Sequence, residues 1–226
     1  MQVWPAFATS LAAAMLSPQA QALLEPIHQA YVHVEAEHIA QPAPKTPSDR
    51  LMQLLAVDQA GRTELNKIDF AKLPKDQRQF AWDAAWSEIR EHDLEDQRVL
   101  KSLIPADGWF KRSVYGGAAT RVAFLVVQHA TNDPALMHQA LAKLGEYVSS
   151  GEAKGADYAL LYDRVALDFD HKPQRFGSKV SCLNGVWTPV NLEDPDHVDD
   201  RRRSVGLTET EADYLKHFAS NSCQPS

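Results

Sequence analysis

The stretch 118–129 is apolar around nearly its whole circumference when it is placed on a helix. A helix that is apolar on all sides is buried, so other elements must cover this segment. It ends in two polar residues, Gln128 and His129. Asp133 can then cap a second helix, with Pro134 in its first turn. We therefore expect a central buried helix with a polar end, closely followed by a second helix.

Helical spacing continues through most of the chain from Ser48, which can cap the first of several helices. The pattern changes near the C-terminal third, where two short β-type runs flank Asn184-Gly185, a strong hairpin signal. Thr208 and Glu211 have the spacing of a capping box for a last helix. The predicted fold class is mainly α, a single α-helical domain with one β-hairpin near the C-terminal third. The other helices are expected over about 76–103, 134–151 and 156–165.

The N-terminal residues 1–22 resemble a secretory signal peptide. They contain no charged residue, a short apolar patch and the small-residue triplet Ala20-Gln21-Ala22, although a basic start is missing. Residues 23–47 are an N-terminal segment that ends in a proline-rich linker, and 48–226 form a single α-rich domain. We expect a periplasmic or secreted protein with cleavage after Ala22; the alternative is a cytoplasmic chain with a frayed N-terminal helix.

The net charge, the hydropathy and the cysteine content limit which partners and which cellular compartment the sequence favours. The formal net charge of −7 at pH 7 argues against a nucleic-acid partner, which would select a basic surface. The N-terminal apolar patch is too short for a membrane span, and no later segment is long enough. In an oxidising compartment Cys182 and Cys223 would form a disulfide, whereas two free thiols are expected in a reducing one. The oligomeric state is left open.

Several ionisable residues fall on faces that the helical spacing assigns to the interior. Because such residues are rarely buried unless paired, they indicate either one shared polar cavity or several separate ion pairs. Asp58 can pair with Arg62 one turn later, and Asp93 or Asp96 can meet Arg164 across helices. The full set comprises Asp58, Asp93, Asp96, His129, Asp163 and Arg164.

His129 is the residue best suited to acid–base chemistry, because an imidazole exchanges protons near neutral pH, especially when a carboxylate orients the ring. The alternative is a core histidine whose ring nitrogens are satisfied by neighbours. The sequence has no metal-ligand motif, P-loop, GxGxxG or GxSxG. We therefore predict neither a metal nor another cofactor, and serine nucleophile chemistry has no local support.

Three segments carry a family resemblance: VQHATNDP, YDRVALDFDHKPQRFGS and EDPDHVDDRRRSVGLTETEADYL. Together they resemble an uncharacterised bacterial family catalogued as a domain of unknown function, over about 51–214. Its pattern contains QHA, then DRV, a glutamine before an aromatic-glycine pair, and RR followed by GL. Phe176 and Ser178 depart from the usual tyrosine and threonine. If a tyrosine hydroxyl acts in relatives, Phe176 cannot take that role here. The other matching positions are Asp96, Gly108, Trp109, Gln128, His129, Asp163, Arg164, Gln174, Gly177, Pro195, Arg201, Arg202, Gly206 and Leu207.

The resemblance groups residues that the helical spacing places inward, and it supports one shared polar pocket. The first hypothesis is a hydrolase that acts on a small anionic substrate, with a histidine base oriented by an aspartate and arginines that hold the anion. The second is a non-enzymatic module that binds a ligand or a partner, and the third is a purely structural network. The predicted catalytic residues are His129, Asp163 and Asp96, and the predicted substrate-binding residues are Gln128, Arg164, Gln174, Arg201 and Arg202.

Overall fold

The computed structural model describes residues 16–219 and 223, and the chain divides into two compact units, an N-terminal unit (1–100) and a C-terminal unit (101–226). The described part of the chain is mainly helical with one antiparallel β-hairpin, which confirms the predicted mainly α class with a hairpin near the C-terminal third. Most of the predicted signal peptide lies outside the described residues. None of the described helices combines the length and the hydropathy that a bilayer span requires.

The N-terminal unit starts with α1 (Pro18–Ala40). The Ser17 hydroxyl caps this helix by accepting a hydrogen bond from the Ala20 N–H, and a proline occupies the first turn. Its buried residues recur at helical spacing and enter the core of the unit, so the folded chain extends N-terminal to the predicted start at Ser48. These buried residues are Ala20, Leu24, Ile27 and Tyr31.

The next helix, α2 (Pro47–Leu65), begins at the end of the proline-rich linker and packs against α1. Its cap is Thr46, not the predicted Ser48. The Thr46 hydroxyl accepts the Asp49 N–H at 3.1 Å, and the Asp49 carboxylate accepts the Thr46 N–H at 3.0 Å. Proline is tolerated in the first turn because its missing N–H would have no intrahelical partner there, so the linker's last residues begin the helix.

A short 3₁₀ turn (Phe70–Lys72) precedes α3 (Lys75–Leu103), which agrees with the predicted 76–103. The buried face of α3 changes character along its length. Its first half is apolar, with Ala81, Ala85 and Ile89, and the next turns bury polar side chains. Those side chains are His92, Asp93, Asp96 and Gln97.

Four helices open the C-terminal unit: α4 (Arg112–Tyr115), α5 (Gly117–His129), α6 (Pro134–Val148) and α7 (Gly155–Asp168). The last three pack against one another, and most of α5 is buried, as its apolar sequence predicts. The predicted cap of α6 is confirmed, since the Asp133 carboxylate accepts the Leu136 N–H at 3.0 Å.

The hairpin consists of β1 (Val180–Leu183) and β2 (Val186–Pro189), paired antiparallel with Cys182 opposite Trp187. Asn184 and Gly185 have φ values of 51° and 82°, the left-handed conformation that a two-residue turn of this hand requires. The predicted hairpin is confirmed.

A 3₁₀ turn (Pro195–His197) leads into α8 (Val198–Ser204) and then α9 (Glu211–Lys216). Thr210, rather than the predicted Thr208, caps α9 by accepting the Asp213 N–H at 3.1 Å. The disulfide between Cys182 and Cys223 is present, so the end of the chain is linked covalently to β1.

Candidate functional site

The N-terminal unit contains a buried ion pair between α2 and α3. Arg62 donates two parallel hydrogen bonds to the Asp93 carboxylate, both at 2.8 Å. The same guanidinium donates to the Asp58 carbonyl at 2.7 Å and lies 3.8 Å from the Asp58 carboxylate. The predicted Asp58–Arg62 pair is therefore confirmed. The partner of Asp93 is Arg62, whereas Arg164 lies 3.7 Å from Asp168 on its own helix.

Asp96 is the most unusual side chain of this unit. It lies one turn after Asp93, its exposed fraction is 1 %, and neither carboxyl oxygen has a hydrogen-bond partner within the described part of the chain. Burial, followed by the negative charges of Asp58 and Asp93, raises its pKa well above the ordinary value, and Arg62 opposes this effect. Asp96 is therefore a buried acid that readily keeps its proton.

Tyr31 of α1 lies beside the same group of charges. Its hydroxyl is buried and has no hydrogen-bond partner among the described residues, and burial raises its pKa. The tyrosine ring stacks on His92 with a centroid separation of 3.5 Å. Burial lowers the pKa of His92 to about 4, so this imidazole is neutral at neutral pH. Gly61 admits the tyrosine, because a Cβ there would lie 2.3 Å from the hydroxyl oxygen.

In the C-terminal unit, Asp163 binds backbone amides. The carboxylate is completely buried and accepts the N–H groups of Arg175, Phe176 and Ser178 at 2.8, 3.0 and 2.9 Å. Burial raises its pKa above the ordinary value, and the three N–H groups act in the opposite direction. These contacts attach α7 to the loop that precedes β1 and use the carboxylate oxygens for structure.

Gln174 has a similar role in the same loop. Its amide group accepts the Lys179 N–H at 2.9 Å and donates to the Lys179 carbonyl at 2.8 Å. A further hydrogen bond from the amide nitrogen goes to the Val190 carbonyl after β2. The predicted substrate-binding glutamine therefore holds the base of the hairpin.

The arginine pair of α8 also binds backbone carbonyls. Arg201 donates to the Arg175 carbonyl at 2.7 Å and to the Asp194 carbonyl at 3.0 Å. Arg202 is buried and donates to the Phe176 carbonyl at 2.9 Å and to the Glu209 carbonyl at 2.8 Å. Their hydrogen bonds therefore order the backbone around 175–176 and 209.

The predicted site residues Gln128, His129 and Asp96 lie on other helices, α5 and α3. Gln128 is buried near the end of α5, and its side-chain oxygen has no hydrogen-bond partner among the described residues. His129 is half-buried at the last position of α5. Asp163, Gln174, Arg201 and the buried Arg202 converge on the loop 174–179, so the structure brings these four predicted residues together. Asp96 belongs to the other unit.

A pocket that the sequence analysis did not identify lies in the C-terminal unit where α7 begins. Its volume is about 500 Å³, and its wall contains Gly155, Ala156, Arg112, Lys154 and the segment 205–209. No side chain caps α7, and the Asp157 N–H donates to the Lys154 carbonyl, so the N–H groups of Gly155 and Ala156 retain hydrogen-bonding capacity.

The close approach of backbone segments shapes this pocket. The Val205 carbonyl oxygen would lie 1.6 Å from a Cβ at position 155, so glycine is required there. Arg202 holds the far wall through the Glu209 carbonyl. The sequence signal was the lysine before Gly155, where a capping serine, threonine, aspartate or asparagine would be usual.

The chain belongs to the Family of unknown function (DUF6624), which it matches over residues 48–221. The resemblance to a family of unknown function is therefore confirmed. Comparison with curated proteins and with solved structures gives no match.

Proposed function

We propose that this member of the family binds a small anionic ligand in the C-terminal unit, in the pocket at the start of α7. One observation carries the proposal: an uncapped helix N-terminus opens into a pocket of about 500 Å³ whose wall also contains Arg112 and Lys154. Free N–H groups and the helix dipole attract anions, and this effect is strongest within the first turn. Pocket volumes of this size suit small molecules.

The charges around the pocket support an anion more than a cation. Arg112 and Lys154 are both exposed, and no contact with a carboxylate neutralises either side chain among the hydrogen bonds and ion pairs of the described residues. Asp157, in the first turn of α7, is buried and paired with Arg121. The carboxylate of Glu209 is bound by His217 at 2.6 Å and lies 3.5 Å from Arg202.

The chemical class that fits is a phosphate or carboxylate group on a small molecule. One phosphate oxygen can accept hydrogen bonds from backbone N–H groups while a guanidinium donates to two other oxygens of the same phosphate. The walls contributed by 205–207 and Val148 leave room for a small organic part beside the anion. This proposal corresponds to the predicted binding module, with its site at the start of α7.

Isothermal titration with inorganic phosphate and citrate tests the proposal. Arg112→Gln and Lys154→Gln should each weaken binding about tenfold, equal to about 1.4 kcal/mol, and the double variant should lose measurable binding. Lys143→Gln is the matched control, because this lysine of α6 pairs with Glu146 at 2.8 Å and lies outside the pocket. Equal affinity in wild type and the double variant would refute the proposed site.

Hydrolysis of a small anionic substrate is the second candidate function, and Asp96 is the observation that favours it. A neutral carboxylic acid beside an ionised one is an arrangement that enzymes use to donate protons to a leaving group. Assays with nitrophenyl phosphate and carboxylate esters should show activity that falls at least 100-fold in Asp96→Asn. Unchanged activity in this variant would contradict the role, and Asp170→Asn is the exposed aspartate control.

Export is the proposed localisation, and the Cys182–Cys223 disulfide supports it, because such bonds persist in oxidising compartments. The proposed cleavage after Ala22 falls within α1 and would remove the Ser17 cap. The mature helix would then begin at Leu23. Mass spectrometry of the periplasmic fraction should find this N-terminus, and intact Met1 there would contradict it.

A further inference from the structure

A second cavity lies wholly within the N-terminal unit, and α1, α2 and α3 all contribute to its lining. Sites for drug-sized ligands usually measure about 300 Å³ or more, whereas an apolar cavity of about 150 Å³ can hold one benzene molecule. The cavity of the N-terminal unit has a volume of about 110 Å³ and is not sealed, because Val32 in its lining is 46 % exposed. Its size therefore suits a single small ring.

Apolar side chains form much of the lining. Val57 of α2 belongs to the hydrophobic core of the unit, and Val34 of α1 packs against that core. Water beside such side chains has few hydrogen-bond partners, so an apolar group that displaces it gains affinity. The cavity therefore favours an apolar molecule over water.

Two stacked rings give the cavity a preference for planar ligands. Tyr31 and His92 both line it, and their rings are nearly parallel, with centroids 3.5 Å apart and an interplanar angle of 11°. Burial lowers the pKa of His92 to about 4, so its imidazole is an uncharged ring at neutral pH. Aromatic rings attract one another in offset-stacked and edge-to-face arrangements. An aromatic ligand therefore gains contacts that an aliphatic ligand of the same size lacks.

The polar groups of the lining favour an uncharged ligand that carries a hydroxyl. Burial, followed by the charge of Arg50, lowers the pKa of His38. This imidazole of the lining is therefore neutral at pH 7 and can donate one hydrogen bond and accept another. The carboxylate of Glu35, also in the lining, repels a ligand carboxylate or phosphate. A cation would lose its hydration among apolar side chains.

We propose that this cavity binds a small uncharged aromatic molecule of the phenol class. The ring contacts Val34, Val57 and the stacked pair of rings, and the hydroxyl forms a hydrogen bond with the His38 imidazole. The site differs from the pocket at the start of α7 in its size, in the charge that it prefers and in the unit to which it belongs. Each site can therefore be tested without the other.

Methyl NMR titration of the wild type with phenol at pH 7 locates the site without a variant. The largest shift changes should occur at the Val34 and Val57 methyl groups and should saturate. The Val114 methyl groups, on a side chain 68 % exposed in the other unit, are the internal control and should not change. Toluene should affect the same two valines, and benzoate at equal concentration should not. No saturable change at these valines, or equal binding of benzoate, would overturn the proposal.

Titration calorimetry of surface variants provides the second test. Val32→Trp places a bulky ring beside the cavity and should weaken phenol binding by about tenfold or more. Ile39→Trp is the matched control, because Ile39 lies on the same helix, is 77 % exposed and is not part of the lining. In His38→Leu the ratio of phenol affinity to toluene affinity should fall about three- to tenfold, as expected for one lost hydrogen bond. Unchanged phenol affinity in Val32→Trp, equal weakening in Ile39→Trp or an unchanged ratio in His38→Leu would overturn the proposal.

Discussion

Replacement of Asp163 by asparagine is expected to destabilise the protein strongly. The asparagine keeps one oxygen for the N–H groups of Arg175 and Phe176, but its NH₂ group would face the Ser178 N–H in place of an accepting oxygen. An orphaned buried donor costs about 1 to 3 kcal/mol, and the two remaining hydrogen bonds lose their charge. We expect a total of about 2 to 4 kcal/mol, a large part of typical domain stability.

Urea denaturation at pH 7 with the disulfide intact measures this loss. With a slope on the order of 2 to 3 kcal/mol per molar urea, the midpoint should fall by roughly 1 M. Asp170→Asn is the control, because Asp170 is exposed and its partner is His138 at 2.8 Å on the same unit's surface. A wild-type midpoint for Asp163→Asn would refute the structural role and return Asp163 to the catalytic interpretation.

Three further predictions concern stability. The pKa of Asp96 is raised in the folded state, so the stability that its protonated form contributes is fully present below about pH 3.9 and is lost as the pH rises through the raised pKa. Asp96→Asn should therefore be more stable than wild type at pH 7 to 8, and a less stable variant in urea melts would contradict this. Reduction of Cys182–Cys223, which closes a 41-residue separation, should cost about 3 to 4 kcal/mol, and an unchanged midpoint would show otherwise. His129→Ala should change the urea midpoint little if this half-buried residue serves a site, whereas a loss of more than about 2 kcal/mol would indicate a core histidine.

Periodicity predicted the helices with clear apolar faces, and capping chemistry was less informative. α3 and α5 agree with their predicted bounds because both bury a continuous stripe. Thr46 and Thr210 were missed as caps, since each lies two residues away from an equally suitable residue and only the backbone conformation selects between them. The start of α1 was missed because its stripe begins inside a segment that also resembles a signal peptide.

The candidate site was predictable only in part. The helical spacing correctly placed Asp58, Asp93, Asp96 and Asp163 in the interior. Their partners depend on tertiary contacts, and the sequence does not indicate that Asp163 binds backbone amides of a loop 12 to 15 residues away. Backbone N–H groups are alike at every residue, so the only sequence signal for the pocket at α7 was the unusual lysine in the capping position, Lys154.

Amide chemical shifts during a phosphate titration test the proposed function most directly. If the anion binds at the start of α7, the largest shift changes should occur at the N–H groups of Gly155 and Ala156, and they should disappear in the Arg112→Gln, Lys154→Gln double variant. Saturable changes confined to other parts of the chain, or no changes at millimolar phosphate, would contradict the proposal that this pocket binds small anions.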